Sequence, residues 1–247
     1  MFEIYFLNLE RKVNYYKIFI FTVFISLVIG GLNYFIGGDY FFLIALVSLF
    51  LTYPVVSFLL KEEKIEFEKK ISEKNIIKRH EKEMFIVLTI FLAVLLSFII
   101  ISPLVKDYSF TEKTYNYITG HIIFNSDFFT VLTNNLVVLF FTFLASLVSL
   151  SGLIFIIVWN ASLVAYYFTT FLSFKDGIIG VFGVLGHGII EVLGYILIGL
   201  AGGLLSYRLS KKKLNNYYIN KRFIYDFSIL IVASIIFIFI SAFLEVL

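Results

Sequence analysis

The chain contains no cysteine and only 2 prolines, and just 15% of its 247 residues are Asp, Glu, Lys or Arg. The absence of cysteine excludes disulfide bridges and thiolate metal sites. The scarcity of charge, together with 60% apolar residues and a mean hydropathy of +0.97, excludes an ordinary soluble domain. Phosphate-binding and dinucleotide-binding glycine motifs and the HExxH metalloprotease sequence are missing as well. We expect no cofactor, no metal and no nucleic acid partner, and we expect lipid to surround the folded chain.

The apolar runs are long enough to cross about 30 Å of hydrocarbon as helices, and they lack the alternation of barrel strands. The predicted fold class is an all-α polytopic transmembrane helical bundle of about seven spans. The predicted spans are residues 18–37, 40–60, 85–105, 134–150, 152–173, 187–206 and 224–245. The fourth and fifth spans share one uncharged run that, as a single helix, would be about twice as long as the bilayer core is thick. We therefore predict a fold-back at Ser149, Ser151 and Gly152.

The distribution of basic residues favours a cytoplasmic N-terminus and an external C-terminus. In that topology, 17 of the 20 Lys and Arg residues lie in cytoplasmic segments. The remaining ones, Lys106, Lys113 and Lys175, lie outside. Removing one crossing after Asn134 would make the two sides nearly equal, so the charge pattern supports about seven spans. The chain is expected in the cell membrane as a multi-pass protein.

Three segments are predicted along the chain. Residues 1–60 form an N-terminal two-helix membrane hairpin, residues 61–84 form a charged cytoplasmic helical connector, and residues 85–247 form the main membrane domain. The connector is interpreted as a solvated link, with a docking surface for a cytoplasmic partner as the alternative.

Polar side chains inside the spans are the candidates for a site, because ionisable groups are costly in hydrocarbon. His187 and Glu191 are four residues apart and share one helix face. The predicted polar intramembrane cluster consists of Asn134, Asn135, Asn160, His187, Glu191 and Glu245. All of these except Asn160 are expected near the outer leaflet. Such a cluster either locks helix packing or binds a solute, a proton or a lipid headgroup. A metal site is a weaker alternative, since His187 and Glu191 supply too few ligands.

Glycines mark the predicted close contacts between helices. The predicted helix-packing positions are Gly188, Gly199, Gly202 and Gly203. Gly199 and Gly203 form a GxxxG pair, and a homodimer through this pair is a further expectation. The segment from Gly177 to Gly186 is too short to span and is interpreted either as a re-entrant or interfacial segment or as part of ordinary tight packing.

A resemblance to a known family rests on four segments in order: FFTVLTNNLVVLFF, GLIFIIVWNASLVAYYF, GHGIIEVLGYILIGLAGGLLSYRL and SAFLEVL. Over about residues 85–247 the chain resembles the membrane domain of the stage II sporulation protein M family. The residues that carry the resemblance are Asn134, Asn135, Asn160, Ala161, His187, Gly188, Glu191, Ala201, Gly202, Gly203 and Glu245. Gly186 stands where the family commonly has proline, and Ala161 where it commonly has glycine. The resemblance implies an integral membrane protein without demonstrated catalytic chemistry. In spore formers, it implies a complex with cell-wall-degrading partners, and we do not extend the sporulation role to this chain.

Two function classes follow from the sequence. The first is a non-enzymatic scaffold or assembly factor for an envelope complex, whose partners are the lipid bilayer and other membrane or envelope proteins. The second is a transporter or channel-like protein that moves a small polar solute or lipid through an outward-facing polar cavity. No catalytic residue is predicted, because no serine pairs convincingly with His187 as a nucleophile. An intramembrane hydrolase is therefore the third and weakest alternative.

Overall fold

The fold is helical in every segment that the computed structural model describes, namely residues 14–36, 43–51, 76–102, 127–171, 177–210 and 217–246. These residues contain no strand, so the all-α prediction is confirmed for them. Residues 43–51 are helical. We number the other helices in chain order as α1 (Tyr15–Ile36), α2 (Ile76–Ile101), α3 (Phe128–Val148), α4 (Leu150–Phe171), α5 (Gly177–Ser210) and α6 (Tyr217–Val246).

Five of the helices in the described part of the chain are long and apolar enough to cross a membrane. Their crossing segments are Tyr15–Ile36, His80–Ile101, Phe128–Val148, Gly186–Ser206 and Phe223–Val246. Helix α4 contributes a shorter apolar stretch, Gly152–Ala165, and the predicted second span is described only over residues 43–51. The prediction of several membrane-spanning helices is confirmed, and the total of about seven crossings stays a prediction.

Helix α3 begins earlier than predicted, at Phe128 rather than at Asn134. Asp127 is its N-cap, and the backbone N–H of Thr130 donates a hydrogen bond of 2.8 Å to the Asp127 Oδ1. Hydropathy alone missed this start because the first turns contain polar residues. The helix ends at Val148, where the N–H of Ser149 donates to the Ala145 carbonyl at 3.0 Å. The predicted fold-back at Ser149 is confirmed.

Two other segments are helical where the sequence left alternatives open. Helix α5 is continuous from Gly177, so residues 177–186 form its first turns and the re-entrant interpretation is wrong. Consecutive backbone hydrogen bonds satisfy this segment without a break. Helix α2 begins at Ile76, so residues 76–84 of the predicted connector belong to it. Residues 61–75 lie outside the described residues.

Helix α5 is the centre of the bundle, because α3, α4 and α6 all pack against it. A Cβ at Gly202 would lie 2.8 Å from the carbonyl oxygen of Phe143 in α3, and one at Gly194 would lie 3.2 Å from that of Ser234 in α6. Gly199 contacts the side chain of Leu153 in α4. Gly188 and Gly203 are also buried. Gly188, Gly194, Gly199 and Gly202 therefore lie at contacts between helices of one chain.

Pairs of contacts fix the direction of neighbouring helices. Gly188 lies beside Val164 and Gly199 beside Leu153, so α4 and α5 are antiparallel. Since α3 folds back directly into α4, α3 and α5 run parallel. At the other side of the bundle, the rings of Tyr15 and Phe85 lie 6.0 Å apart. Gly30, further along α1, contacts Ile101, further along α2. Helices α1 and α2 therefore also run parallel.

The close approach at Gly202 predicts a large penalty for the substitution Gly202→Ala. The new methyl group would meet the backbone oxygen of Phe143, which cannot move without shifting α3. We expect a loss of about 1 to 3 kcal/mol of stability, measured as a lower thermal midpoint in detergent. The matched control is Gly188→Ala, whose methyl group would have its nearest neighbour at an ordinary 3.7 Å. Equal thermal midpoints for the two variants would contradict the described α3–α5 contact.

The cap at Asp127 predicts a specific pH dependence. Hydrogen bonding from the Thr130 side chain, and then from its backbone N–H, lowers the pKa of Asp127 below its usual value. A lowered pKa in the folded state stabilises the fold above the unfolded pKa, and this stabilisation is lost as the pH falls. We expect the wild type to lose more thermal stability than Asp127→Asn between pH of about 6 and about 3. Asparagine retains a capping oxygen but does not titrate. Parallel pH profiles would contradict the prediction.

Candidate polar site

The clearest polar interaction within the spans joins two residues of α5. The hydroxyl of Tyr195 donates a hydrogen bond to the Glu191 Oε1, one helical turn away. Tyr195 is completely buried, whereas Glu191 is half-buried. Sequence reasoning predicted Glu191 but missed Tyr195, because a tyrosine in an apolar run looks like an ordinary core residue. Its spacing of four residues from Glu191 was the one available indication.

A second carboxyl group comes from the end of α6. Glu245 is half-buried, and its carboxyl group lies close enough to Glu191 for the two to interact electrostatically. One turn earlier on α6, the hydroxyl of Ser241 donates a hydrogen bond of 3.1 Å to the backbone carbonyl oxygen of His187. His187 is half-buried, one turn from Glu191 on α5. The antiparallel packing of α6 against α5 thus brings His187, Glu191 and Glu245 into one region.

The register between the parallel helices α3 and α5 extends this region to Asn135. Ser146 of α3 lies beside Gly202 of α5. Asn135 precedes Ser146 by about three helical turns, and Glu191 precedes Gly202 by the same interval. Because a whole number of turns brings a residue back to the same side of its helix, Asn135 lies on the side of α3 that faces α5, and Glu191 lies on the side of α5 that faces α3. Between these two levels, Leu139 of α3 and Tyr195 of α5 belong to one buried cluster, which agrees with this register. Asn135 therefore lies at the level of Glu191.

Two asparagine side chains of α3 have amide donors without acceptors in the described part of the chain. The Nδ2 atoms of Asn134 and Asn135 are buried and have no hydrogen-bond partner among the described residues. Asn135 is only 6% exposed, so its amide is shielded from bulk water. A buried donor without an acceptor is costly, so these amides are candidates for contact with a ligand.

Asn160 is satisfied within its own helix. Its Nδ2 donates a hydrogen bond of 2.8 Å to the carbonyl oxygen of Ile156. The register of α4 against α5 brings Asn160 to the level of Val192, which is next to Glu191 in sequence. Asn160 therefore lies near the level of Glu191, although only the other five residues were expected near the outer leaflet, and its amide nitrogen is already bonded within α4.

We define the polar layer as Asn134, Asn135, Glu191, Tyr195 and Glu245. It offers carboxylate and phenol oxygens as well as amide N–H donors, a set suited to binding a polar ligand. In the described part of the chain, no group of three or more His, Asp or Glu residues is arranged to hold a metal ion. These groups are able to contact a ligand through charge and hydrogen bonds.

Comparison with known proteins gives one family match. The stage II sporulation protein M family matches residues 40–247. The match confirms the resemblance seen over about residues 85–247 and extends it toward the N-terminus as far as residue 40. No curated protein and no solved structure matches the chain. Because the match covers most of the chain, this protein with several membrane-type helices belongs to the stage II sporulation protein M family.

Proposed function

We propose that this protein is a non-enzymatic scaffold or assembly factor for an envelope complex in the cell membrane. The observation that carries the proposal is the filled centre of the bundle. Three helices approach the glycines of α5 so closely that Phe143, Leu153 and Ser234 occupy the space that side chains would need. A core interlocked in this way favours a protein that holds partners in fixed positions over one whose helices rearrange. The family is also not known as enzymatic.

The outer surfaces of the helices provide room for partners. Helix α3 presents exposed aromatic side chains at Phe129, Phe140 and Phe141, and α6 presents exposed apolar side chains along most of its length. In a membrane, lipid covers such faces, and the helices of another membrane protein can replace the lipid. The glycines Gly199 and Gly202 already contact helices of the same chain, so we assign partners to the apolar outer faces.

The proposed topology has about seven crossings, with the N-terminus in the cytoplasm and the C-terminus outside. The parallel pair α1 and α2 supports it, because parallel neighbours require an additional crossing between them. The helical residues 43–51, with Leu43, Val47 and Leu51 fully buried, lie in the chain between these two helices. The concentration of Lys and Arg in the proposed cytoplasmic segments supports the same arrangement.

A second candidate function is transport of a small polar solute or lipid. The observation that favours it is the polar layer, where the buried Nδ2 of Asn135 lacks a partner at the level of Glu191. Intramembrane carboxyl groups commonly belong to substrate or ion pathways. Transport requires a pathway through the bundle, and the tight contacts of α5 argue against it.

The scaffold proposal predicts a stoichiometric partner. After mild crosslinking in native membranes, we expect the chain to co-purify with at least one other membrane or envelope protein in fixed proportion. The loss of packing in Gly202→Ala is expected to weaken this co-purification severalfold, while Gly188→Ala retains it. A chain that purifies without any partner and that moves a solute in proteoliposomes would contradict the scaffold and support the transporter.

The topology predicts which residues a membrane-impermeant thiol reagent reaches. The natural chain has no cysteine, so single substitutions can be introduced without background labelling. Asp127 and Glu81 are exposed at the beginnings of α3 and α2. In right-side-out vesicles, we expect Asp127→Cys to react at once and Glu81→Cys only after permeabilisation. Immediate reaction of Glu81→Cys would overturn the orientation.

A further inference from the structure

The polar layer combines two features that arise from different helices. The carboxyl groups of Glu191 in α5 and Glu245 in α6 lie within electrostatic range of each other. Independently, α3 contributes Asn135, which is 6% exposed and whose Nδ2 has no acceptor among the described residues. Carboxyl oxygens that accept hydrogen bonds and an amide donor that lacks a partner therefore occur in the same region of the bundle.

The side chain of Asn135 is directed toward Glu191 by the helix register. Asn135 shares the buried face of α3 with Leu139 and Ser146. That face meets α5, since Ser146 lies beside Gly202 and Leu139 clusters with Tyr195. One further turn along the same face places Asn135 opposite Glu191. The amide and the carboxyl group thus lie at the same level on neighbouring helices.

The two carboxyl groups specify one part of a ligand. When both are ionised they repel each other where water is scarce, and a single positive charge between them relieves the repulsion and favours their ionised forms. Carboxylates are acceptors only, whereas an ammonium group supplies N–H donors and forms charge-assisted hydrogen bonds with them. Tyr195 already donates to one oxygen of Glu191, which leaves the other oxygen for the ligand.

The amide specifies the other part of the ligand. The Nδ2 of Asn135 is a donor and therefore requires an acceptor, such as a phosphate or carboxylate oxygen. A bare metal cation would neutralise the carboxylates but would offer no acceptor to this N–H. A quaternary ammonium group has no N–H to donate to Glu191 or Glu245. A primary ammonium group with an anionic oxygen a few bonds away satisfies all of these groups.

We propose that the polar layer binds a primary ammonium group linked to a phosphate or carboxylate. This chemistry occurs in the headgroup of an ethanolamine phospholipid and in small zwitterionic solutes such as amino acids. The carboxyl groups of Glu191 and Glu245 hold the ammonium, and the amide of Asn135 donates to the anionic oxygen. Both carboxylates are half-buried, and Glu245 lies at the end of the segment Phe223–Val246, where lipid headgroups meet the apolar core. The site goes beyond the scaffold function and requires neither a partner protein nor transport.

Lipid selectivity in thermal unfolding tests the proposal. The purified chain is placed in detergent micelles with equal mole fractions of an ethanolamine or a choline phospholipid that have identical acyl chains. We expect the ethanolamine lipid to raise the thermal midpoint and the choline lipid to leave it nearly unchanged. In native mass spectrometry, we expect Glu191→Gln and Glu245→Gln to weaken ethanolamine lipid binding by about tenfold or more. Glu81→Gln, at an exposed position on α2, is the matched control and is expected to bind like the wild type.

Soluble zwitterions distinguish the two sources of the ligand. Phosphoethanolamine and glycine are added separately to the chain in micelles of choline lipid. A rise of the midpoint with either compound assigns the layer to a soluble solute, and a rise with the ethanolamine lipid alone assigns it to a headgroup. Equal responses of the wild type to ethanolamine and choline lipids, with no response to the soluble compounds, would overturn the proposal. If Glu191→Gln does not fold, undiminished binding by Glu245→Gln overturns it equally.

Discussion

The constraint on which this fold depends is the absence of water from the hydrocarbon region, where every polar group needs a partner within the protein. Many buried hydroxyl groups meet this need inside their own helix. The hydroxyls of Ser97, Thr142 and Ser234 donate to backbone carbonyl oxygens three or four residues earlier, at 2.7 to 2.8 Å. Such bonds satisfy the hydroxyl but do not join two helices. The association of α3, α4 and α6 with α5 therefore depends mainly on close packing at the glycines.

The same constraint separates Asn160 from Asn135. Asn160 follows the rule of local satisfaction, since its amide nitrogen bonds to the Ile156 carbonyl oxygen. Asn135 does not follow it, and its buried Nδ2 faces the level of Glu191 without an acceptor among the described residues. A protein that needed only rigidity would be more stable with an apolar side chain at this position. The amide at position 135 therefore lowers the stability of the fold, and such a cost is typical of a residue that binds a ligand.

Much of the fold was predictable from the sequence because charge and hydropathy report directly on lipid exposure. The fold-back at Ser149 followed from the length of one uncharged run, and the all-α class from the lack of alternation. The start of α3 was not predictable from hydropathy, since it depends on capping by Asp127. The candidate residues were identified, but their pairing was not. His187 and Glu191 share a face by spacing, whereas the hydrogen bond goes from Tyr195 to Glu191. Pairing depends on side-chain geometry and on helix register, which a single sequence does not contain.

The family match and the packing together change the interpretation of the N-terminal half. The match begins at residue 40, after the end of α1 at Ile36, so the family unit includes the helical residues 43–51 and α2. Helix α1 alone, among the described helices, lies outside that unit. It packs on α2, and its buried residues are Ile18, Thr22, Ser26, Ile29, Gly30 and Asn33. Gly30 permits the close approach of Ile101, so α1 joins α2 by a contact of the same kind that joins α3 to α5 at Gly202. The contact that holds α1 therefore depends on the shape of its small residues, which lipid chains do not match.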